Sequence, residues 1–368
     1  MTDFKLTQLD NLVTISEGVS DERFGNYPNK RPISELLNYG LILLDKPSGN
    51  TSHEIVSYVK RILQLEKAGH SGTLDPGTTG LLPIGLEEGT KIIPVLLLGP
   101  KEYVALGRLH SHVSDSKLSQ IILEFTGPIY QKPPQRSSVK RQTRVRNIYK
   151  FDLDDQYDRL LLLRVLCESG TYIRKLIYDM GEVLGVGASM IELRRTKVCD
   201  FTNESNFIRL HDLVDAFQIY KETKNEEKLR RIVLPIEIAM THLPAVTIRD
   251  TAIDALCHGA QLAMPGVVSI SKDIKKGDLV GIYSLKGEIV GLGVSMLDFE
   301  EFFNKKKGIC FQIKRIVMKP STYPKFWSTT TTDTEGNTNS EAPEKPDHYS
   351  TEEEEEKDSE SIFSDNNN

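Results

Sequence analysis

The stretch that decides the interpretation of this chain is a short loop between two apolar segments. It reads His70-Ser71-Gly72-Thr73-Leu74-Asp75-Pro76-Gly77-Thr78-Thr79-Gly80. Glycine, proline and hydroxyl residues are typical of turns, and a proline biases the residue before it toward an extended conformation. The loop therefore places a single carboxylate, Asp75, among small polar groups. Taken alone, the same composition also fits an ordinary turn, so the surrounding chain has to decide between the two.

The segments on either side of the loop predict an α+β domain. Residues 40–45 form an apolar run that is typical of a buried strand. Thr51 and Glu54 make a capping box, and apolar residues at helical spacing follow them as far as residue 63. Further along, the pattern predicts strands at residues 102–110 and 160–167, and a helix from residue 173 that ends at a glycine.

Composition and patterning divide the chain into four parts. Residues 1–34 are predicted to be an irregular extension, 35–243 a first domain, 244–327 a small β-rich domain with repeated glycine turns, and 328–368 a disordered acidic tail. No run reaches the roughly 18 apolar residues of a membrane span, and the N-terminus lacks the features of a secretory signal. The four cysteines form no CxxC pair, which argues for reduced thiols and against a zinc site.

The net charge hides a difference between the tail and the body. From Ser328 onward, thirteen acidic residues face two lysines, so the tail carries −11. Because the whole chain carries −6, residues 1–327 carry +5. A mildly basic body is compatible with nucleic-acid binding but does not require it.

Four further positions could carry chemistry, and each has an ordinary explanation as well. Tyr172 and Arg174 lie in the stretch from Glu168 to Lys175, at a predicted strand-to-helix junction, and could simply begin the helix. Lys46 could be a solvated strand end, and Tyr103 an ordinary strand aromatic. Each signal is weak when it is read by itself.

Taken together and in order, these stretches resemble the TruB/dyskerin family of pseudouridine synthases. The motifs that carry the resemblance are Leu44-Asp45-Lys46-Pro47-Ser48-Gly49, Gly69-His70-Ser71-Gly72-Thr73-Leu74-Asp75-Pro76, Lys101-Glu102-Tyr103-Val104, Gly170-Thr171-Tyr172-Ile173-Arg174, and Gly185-Val186-Gly187 leading to Glu192-Leu193-Arg194-Arg195. The likeness extends over residues 35–327. It implies a catalytic domain with a mixed, largely antiparallel sheet and flanking helices, followed by a PUA domain, a small β-barrel.

The resemblance also assigns roles to single residues. It implies that Asp75 is the catalytic aspartate, that Arg174 pairs with it, and that Tyr103 stacks on the target base and assists proton removal. Tyr172 and Leu193 would line the base pocket, Lys46 would support the loop, and His70 would lie on the path of the RNA. If the Asp75–Arg174 pair is buried, loss of Arg174 would damage folding as well as activity.

A lone carboxylate fits the chemistry that the family performs. Pseudouridine formation breaks a glycosidic bond and rejoins the base to the same sugar through carbon, so it needs neither a metal nor a redox cofactor. Asp75 could act as a nucleophile, or it could remove a sugar proton on a route through a glycal. The sequence does not choose between these routes.

The chain is similar to the archaeal and eukaryotic branch, whose members take their target from a guide RNA. It lacks the long insertion of bacterial stand-alone members, and a basic stretch with Lys140, Arg141 and Arg144 is predicted to bind RNA backbone. Gly259, Lys314 and Arg315 would bind RNA in the PUA domain.

This resemblance implies the catalytic subunit of an H/ACA ribonucleoprotein. Its partners would be guide RNA, ribosomal RNA and small companion proteins, its location the nucleus and nucleolus, and its wider role ribosome biogenesis. A stand-alone tRNA pseudouridine synthase, a non-catalytic RNA scaffold and, more distantly, a glycoside hydrolase are the alternatives.

Overall fold

The computed structural model describes residues 6–133, 142–202, 205 and 207–325. The strands, in chain order, are β1 (Leu12–Thr14), β2 (Gly40–Lys46), β3 (Ala68–His70), β4 (Thr79–Leu86), β5 (Lys101–Leu109), β6 (Gly127–Gln131), β7 (Arg144–Tyr157), β8 (Leu160–Cys167), β9 (Ala188–Val198), β10 (Leu234–Pro235), β11 (Ala245–Ile248), β12 (Leu262–Ala263), β13 (Val267–Ser271), β14 (Leu279–Tyr283), β15 (Ile289–Ser295) and β16 (Ile309–Ile316). The helices are α1 (Ile33–Asn38), α2 (Ser52–Leu63), α3 (Ile93–Leu98), α4 (Asp115–Glu124), α5 (Ile173–Leu184), α6 (Leu210–Thr223), α7 (Glu227–Ile232), α8 (Asp250–Cys257) and α9 (Glu301–Asn304). No helix within these ranges is long and apolar enough to cross a membrane.

The chain forms two compact units that share its N-terminal part. Among the described residues, the first unit contains residues 6–11 and 26–244, and the second contains residues 12–25 and 245–325. The N-terminal extension is therefore not wholly irregular, as the sequence suggested, because β1 pairs antiparallel with β13. Three residues of mixed polarity are too short a pattern to predict a strand.

Within the described residues, the sheet of the first unit has nine strands and is mixed but largely antiparallel, as predicted. Its order is β10-β2-β4-β9-β5-β8-β7-β6, with β3 pairing to β4, and only the β4–β9 pairing is parallel among the described ladders. Helices α2 and α6 cover one core cluster of this unit, and α4 and α5 cover another. Tyr103 packs against both clusters, so β5 lies at the centre of the unit.

The local sequence explains how the two central helices begin and end. The Thr51 hydroxyl accepts from the amide of Glu54, whose carboxylate returns to the Thr51 amide, so the predicted capping box is formed. Helix α5 ends at Leu184 and is capped by Gly185, which has a φ of 77° that glycine adopts without strain. Both helices bury one apolar face, as their periodicity predicts.

The second unit is rich in β-structure, as the pattern after Pro244 predicted, and its described residues form a mixed sheet of seven strands. Its order is β1-β13-β11-β14-β15-β16-β12, with one parallel pairing, β11–β14, among the described ladders. Within the described residues the order has two ends, whereas a closed barrel has no edge strands. The core of this unit includes Ile270, Ile282 and Phe311.

Candidate active site

The catalytic loop, defined here as residues 70–80, is anchored from below by buried side chains. Lys46 is fully buried, and its ammonium donates to the carbonyls of Pro47, Pro76 and Thr78 at 3.0, 3.1 and 2.9 Å. A longer bond of 3.4 Å reaches the carbonyl of Asp75. Burial lowers the pKa of Lys46, and the nearby Asp75 charge opposes that fall. The strand end that looked unremarkable in the sequence thus supports the loop.

A second set of contacts fixes the middle of the loop. Leu74 is buried in the core, and its amide donates to the hydroxyl of Ser52 at 2.9 Å, at the start of α2. Arg195 reaches the loop from β9, with an Nη donating to the carbonyl of Gly72 at 3.1 Å. Leu74 is held by Ser52, and Pro76 is held by Lys46. Because these are the two residues next to Asp75 in the chain, the backbone at Asp75 is held on both sides.

Asp75 itself faces solvent and pairs with Arg174. One Nη of Arg174 lies 3.4 Å from a carboxylate oxygen of Asp75, and the two side chains are 63% and 64% exposed. The pair that the sequence predicted is thus formed, but it is not buried. An exposed pair contributes only about 0–1 kcal/mol to stability, so the expectation that loss of Arg174 damages folding does not hold.

The start of α5 determines where Arg174 points. Tyr172 is the N-cap residue with an extended backbone, and the helix begins at Ile173. Buried Gln131 holds this junction, because its side chain accepts from the Tyr172 amide at 2.9 Å and donates to the Tyr172 carbonyl at 3.1 Å. The half-buried Tyr172 ring is consequently placed beside the first turn, from which Arg174 extends.

Strands β5 and β9 bring further predicted residues to one face of the sheet. Tyr103 is paired in register with Arg195, and Ala105 with Leu193. Directly opposite residues share a face, so Leu193 lies diagonally from Tyr103. Burial raises the pKa of the Tyr103 hydroxyl, and the charge of Arg195 opposes the rise.

His70, which was predicted to lie on the path of the RNA, is buried in the structure. Its side chain is 3% exposed, and its ring meets the ring of His53 edge-on at 5.2 Å between centroids. Burial lowers its pKa to about 4, and neither ring nitrogen has a hydrogen-bond partner in the described part of the chain. As the last residue of β3, it points into the protein rather than toward solvent.

The residues predicted to bind RNA backbone are only partly described. Lys140 and Arg141 lie outside the described residues. Arg144 is half-buried at the start of β7, opposite Gln131. In the second unit, Lys314 and Arg315 are half-buried on β16, and Gly259 lies in an exposed turn with a φ of 94°.

Several residues that shape the site were not predicted, and Arg195 is the most important of them. Arg195 belongs to the motif Glu192-Leu193-Arg194-Arg195, but the resemblance assigned no role to it. Alternation along a strand puts two successive arginines on opposite faces, so one of Arg194 and Arg195 had to face the interior. Arg194 pairs with Asp45 through two hydrogen bonds of 2.8 and 2.9 Å, and Arg195 is the buried one. Gln131 and Ser52 gave no signal in the sequence.

Comparison with known proteins identifies the class. Family models match four consecutive parts of the chain: the DKCLD (NUC011) domain at residues 2–56, the N-terminal domain of TruB family pseudouridylate synthase at 60–173, the C-terminal domain of tRNA pseudouridylate synthase B at 174–241, and the PUA domain at 244–317. The fold and the site are those of a pseudouridine synthase.

Relatives and solved structures agree with these matches. A probable tRNA pseudouridine synthase B of Methanopyrus kandleri is 51% identical, over 86% of this chain and 93% of its own length. The Methanocaldococcus jannaschii counterpart is 44% identical, over 88% of this chain and 96% of its own. A Cbf5-Nop10-Gar1 complex contains a chain that is 46% identical, with a TM-score of 0.81, covering 86% of this chain and 96% of that one. The chain belongs to the TruB/dyskerin family of pseudouridine synthases.

Proposed function

We propose that this protein is the catalytic subunit of a guide-RNA-directed H/ACA ribonucleoprotein that converts uridine to pseudouridine in ribosomal and other RNAs. The observation that carries the proposal is its likeness to chains solved within such particles. A chain of the archaeal box H/ACA Nop10-Cbf5 complex is 43% identical with a TM-score of 0.79, and 98% of it is covered. A chain of an H/ACA ribonucleoprotein bound to a substrate RNA containing 2′-deoxyuridine has a TM-score of 0.80, and 97% of it is covered.

The geometry of the site supports the chemistry. Asp75 is an exposed carboxylate on an anchored loop, and the Arg174 guanidinium lies 3.4 Å from one of its oxygens, where it can orient the carboxylate. An ionised carboxylate can attack the sugar carbon or remove a sugar proton, and both routes start from this arrangement. Tyr103 offers an aromatic surface for the base, which must leave its stack before the glycosidic bond is accessible.

The role of Asp75 is tested with Asp75→Asn, which keeps the shape of the side chain but removes its nucleophilic and basic character. Because the side chain is exposed, we expect normal folding and RNA binding. Pseudouridine formation, measured by mass spectrometry of the product RNA, should fall below about one per cent of the original rate. A larger residual rate would exclude Asp75 as nucleophile or base.

Guide dependence is tested by reconstitution with and without a two-hairpin guide RNA and small companion proteins, of the kind named in the complexes above. We expect multiple turnover on ribosomal target fragments only when the guide is present. RNA affinity should fall steeply with salt, since phosphate contacts release counterions. Charge reversal at Lys140, Arg141 and Arg144 should weaken guide binding without changing the rate of bound complexes.

A stand-alone tRNA pseudouridine synthase is the second candidate, because the curated relatives above carry that name. Equal turnover on a tRNA stem-loop without any guide would favour it and overturn the guide-directed proposal. A non-catalytic scaffold would give no pseudouridine under either condition. The presence of Asp75, Tyr103, Tyr172 and Arg174 on one unit argues against that reading.

We further propose a nuclear, nucleolar location and a role in ribosome biogenesis, on the strength of the resemblance to the eukaryotic branch. Immunofluorescence against a nucleolar marker tests the location. Exclusion of the protein from the nucleus would reject it.

A further inference from the structure

Arg195 is a buried cation, and no carboxylate among the described residues pairs with it. Its side chain is 1% exposed, and its Nε donates to the carbonyl of Leu81 at 2.8 Å. A second bond, from an Nη, reaches the carbonyl of Gly72 in the catalytic loop. Within the described ranges, the one side chain that interacts favourably with its charge is Tyr103. A buried guanidinium is costly unless polar groups compensate it, so this placement calls for an explanation.

The sheet register sets Arg195 directly opposite Tyr103. The two residues are cross-strand partners on β5 and β9, and a register irregularity separates Glu102 from Tyr103 on β5. Opposite side chains in an antiparallel pair approach closely on the same face. Arg195 therefore reaches three groups of the site at once: the catalytic loop, the neighbouring strand β4 and the aromatic ring that the family places against the base.

We propose that Arg195 is a positioning residue that orients the Tyr103 hydroxyl in the base pocket, favours its ionised form, and ties that orientation to the catalytic loop through Gly72. The proposal rests on the proposed function, which puts Tyr103 against the target base. A guanidinium can donate to the phenol oxygen but cannot accept from it. The Tyr103 proton is then left to point away from Arg195.

The reaction gives this arrangement a use. The bond between the sugar and N1 of uracil breaks, a bond between the sugar and C5 forms, and the hydrogen on C5 has to leave while N1 gains a proton. A phenolate at Tyr103 can accept the C5 proton and release it to solvent, so that protons balance over the cycle. A fixed positive charge beside the phenol favours that phenolate and needs no reorganisation during the reaction.

Three charged or titratable groups face the Tyr103 hydroxyl. Arg195 on β9 lowers its pKa, whereas Cys167 on β8 and Asp75 in the catalytic loop raise it. Burial raises the pKa of Cys167 to about 12, so its thiol is neutral at physiological pH. Arg195 is consequently the one neighbour in the described chain that opposes the effect of burial on Tyr103.

The test is a direct titration of the phenol. A fluorinated tyrosine at position 103, with a more acidic hydroxyl, is followed by fluorine NMR in the full-length protein. Arg195→Met should raise the pKa of this hydroxyl by about one unit or more, which is the usual effect of losing a nearby opposite charge. Arg195→Lys, which keeps the charge, should restore part of the original value. An unchanged pKa in both variants would overturn the proposal.

Arg194→Met is the matched control, because Arg194 neighbours Arg195 in sequence but pairs with Asp45. It should leave the fluorine titration unchanged. If Arg195→Met fails to fold, Arg195→Lys and the fluorine chemical shift of the folded protein carry the test. A shift of equal size with Arg194→Met would mean that the effect is not specific, and would also overturn the proposal.

Single-turnover rates separate positioning from general stability. Arg195→Met should lower the maximal rate with little change in RNA affinity, and should cause little further loss on a Tyr103→Phe background. Losses that multiply in the double variant would overturn the proposal. If the unmodified protein makes no pseudouridine with guide and companions, the proposed function fails, but the fluorine titration still decides whether Arg195 controls Tyr103.

Discussion

At the scale of single residues, the site combines exposed reactive groups with buried cations that hold the backbone. Asp75 and Arg174 are open to solvent, whereas Lys46 and Arg195 are buried beneath the catalytic loop and donate to its carbonyls. A charge-assisted hydrogen bond is stronger in a buried setting, where water does not compete. The buried cations therefore hold the backbone of the catalytic loop, and this backbone presents Asp75 to solvent.

Arg174→Ala should remove activity without unfolding the protein. We expect the free energy of unfolding to change by less than about 1 kcal/mol, because the lost pair is exposed. The matched control is Arg31→Ala in the same unit, where the pair with Glu237 is 3% and 0% exposed and 2.6 Å long. There the change removes one partner of a buried ion pair, and a loss of about 3–5 kcal/mol is expected. Chemical denaturation measures both; similar losses in the two variants would contradict this account.

His70 should make the protein sensitive to acid. Burial lowers its pKa from 6.5 to about 4, so between these values the unfolded chain binds a proton that the folded chain does not. Stability is therefore full above pH 6.5 and falls as the pH drops toward 4, by on the order of 1 kcal/mol per pH unit.

His70→Phe should flatten that slope in denaturation curves recorded at several pH values. His211→Gln, at an exposed position on α6, is the control and should keep the original slope. An unchanged slope in His70→Phe would mean that other groups determine the acid sensitivity.

At the scale of elements, the position of α5 against β9 decides where Arg174 lies. A Cβ on Gly181 would come within 2.1 Å of the Ala188 amide nitrogen and 2.5 Å of the Gly187 carbonyl carbon. Backbone atoms cannot move aside as a flexible side chain can. The helix that carries Arg174 thus approaches the strand that carries Leu193 and Arg195 as closely as glycine allows.

Gly181→Ala should displace α5 and reduce both stability and turnover. We expect a loss of about 1–3 kcal/mol, as for other overpacked sites, and a lower rate because Arg174 moves with the helix. Thermal unfolding measures the first effect, and single-turnover kinetics the second. Gly77→Ala is the control for stability, since its Cβ would meet nothing within 4 Å. Normal stability in Gly181→Ala would show that β9 can yield at this contact.

The elements also show what could be read from the sequence. Strands predicted at 102–110 and 160–167 agree with Lys101–Leu109 and Leu160–Cys167, because buried strands have a strong local signal. The long strand β7 and its partner β6 were missed, since their outer faces carry polar and aromatic residues without a clean alternation. Arg195 and Gln131 could not be placed either, because cross-strand partners depend on register, which a single sequence does not contain.

At the scale of the whole molecule, two separate segments of the chain build the second unit. The first segment is residues 12–25, and the second segment begins at Ala245. Several contacts fasten the segment: the Ser16 hydroxyl donates to the Val267 carbonyl at 2.6 Å, and buried Lys286 donates to the carbonyls of Asp21 and Phe24 at 3.1 and 2.7 Å. Removing the segment would leave Lys286 and the edge of β13 without these partners.

A fragment of residues 245–325 should therefore be unstable alone and stabilised by a peptide of residues 12–25. Thermal unfolding with increasing peptide should show a saturable rise in Tm, as mass action requires for a ligand that binds the folded state. A peptide with Val13→Pro is the control, because proline removes a backbone donor from the strand that pairs with β13. A fragment that is equally stable without peptide would show that β1 adds nothing to this unit.

Because the second unit is built from an early and a late segment of the chain, it cannot finish folding until the late segment has been synthesised. Ser16 and its partner Val267 are 251 residues apart, so at bacterial to eukaryotic elongation rates the early strand waits roughly 10–50 seconds for β13 to emerge. Throughout that interval the nascent chain has an unpaired strand that can join a wrong edge. A stalled or truncated translation product that ends before β13 would keep this strand exposed, and would be a natural substrate for holding chaperones.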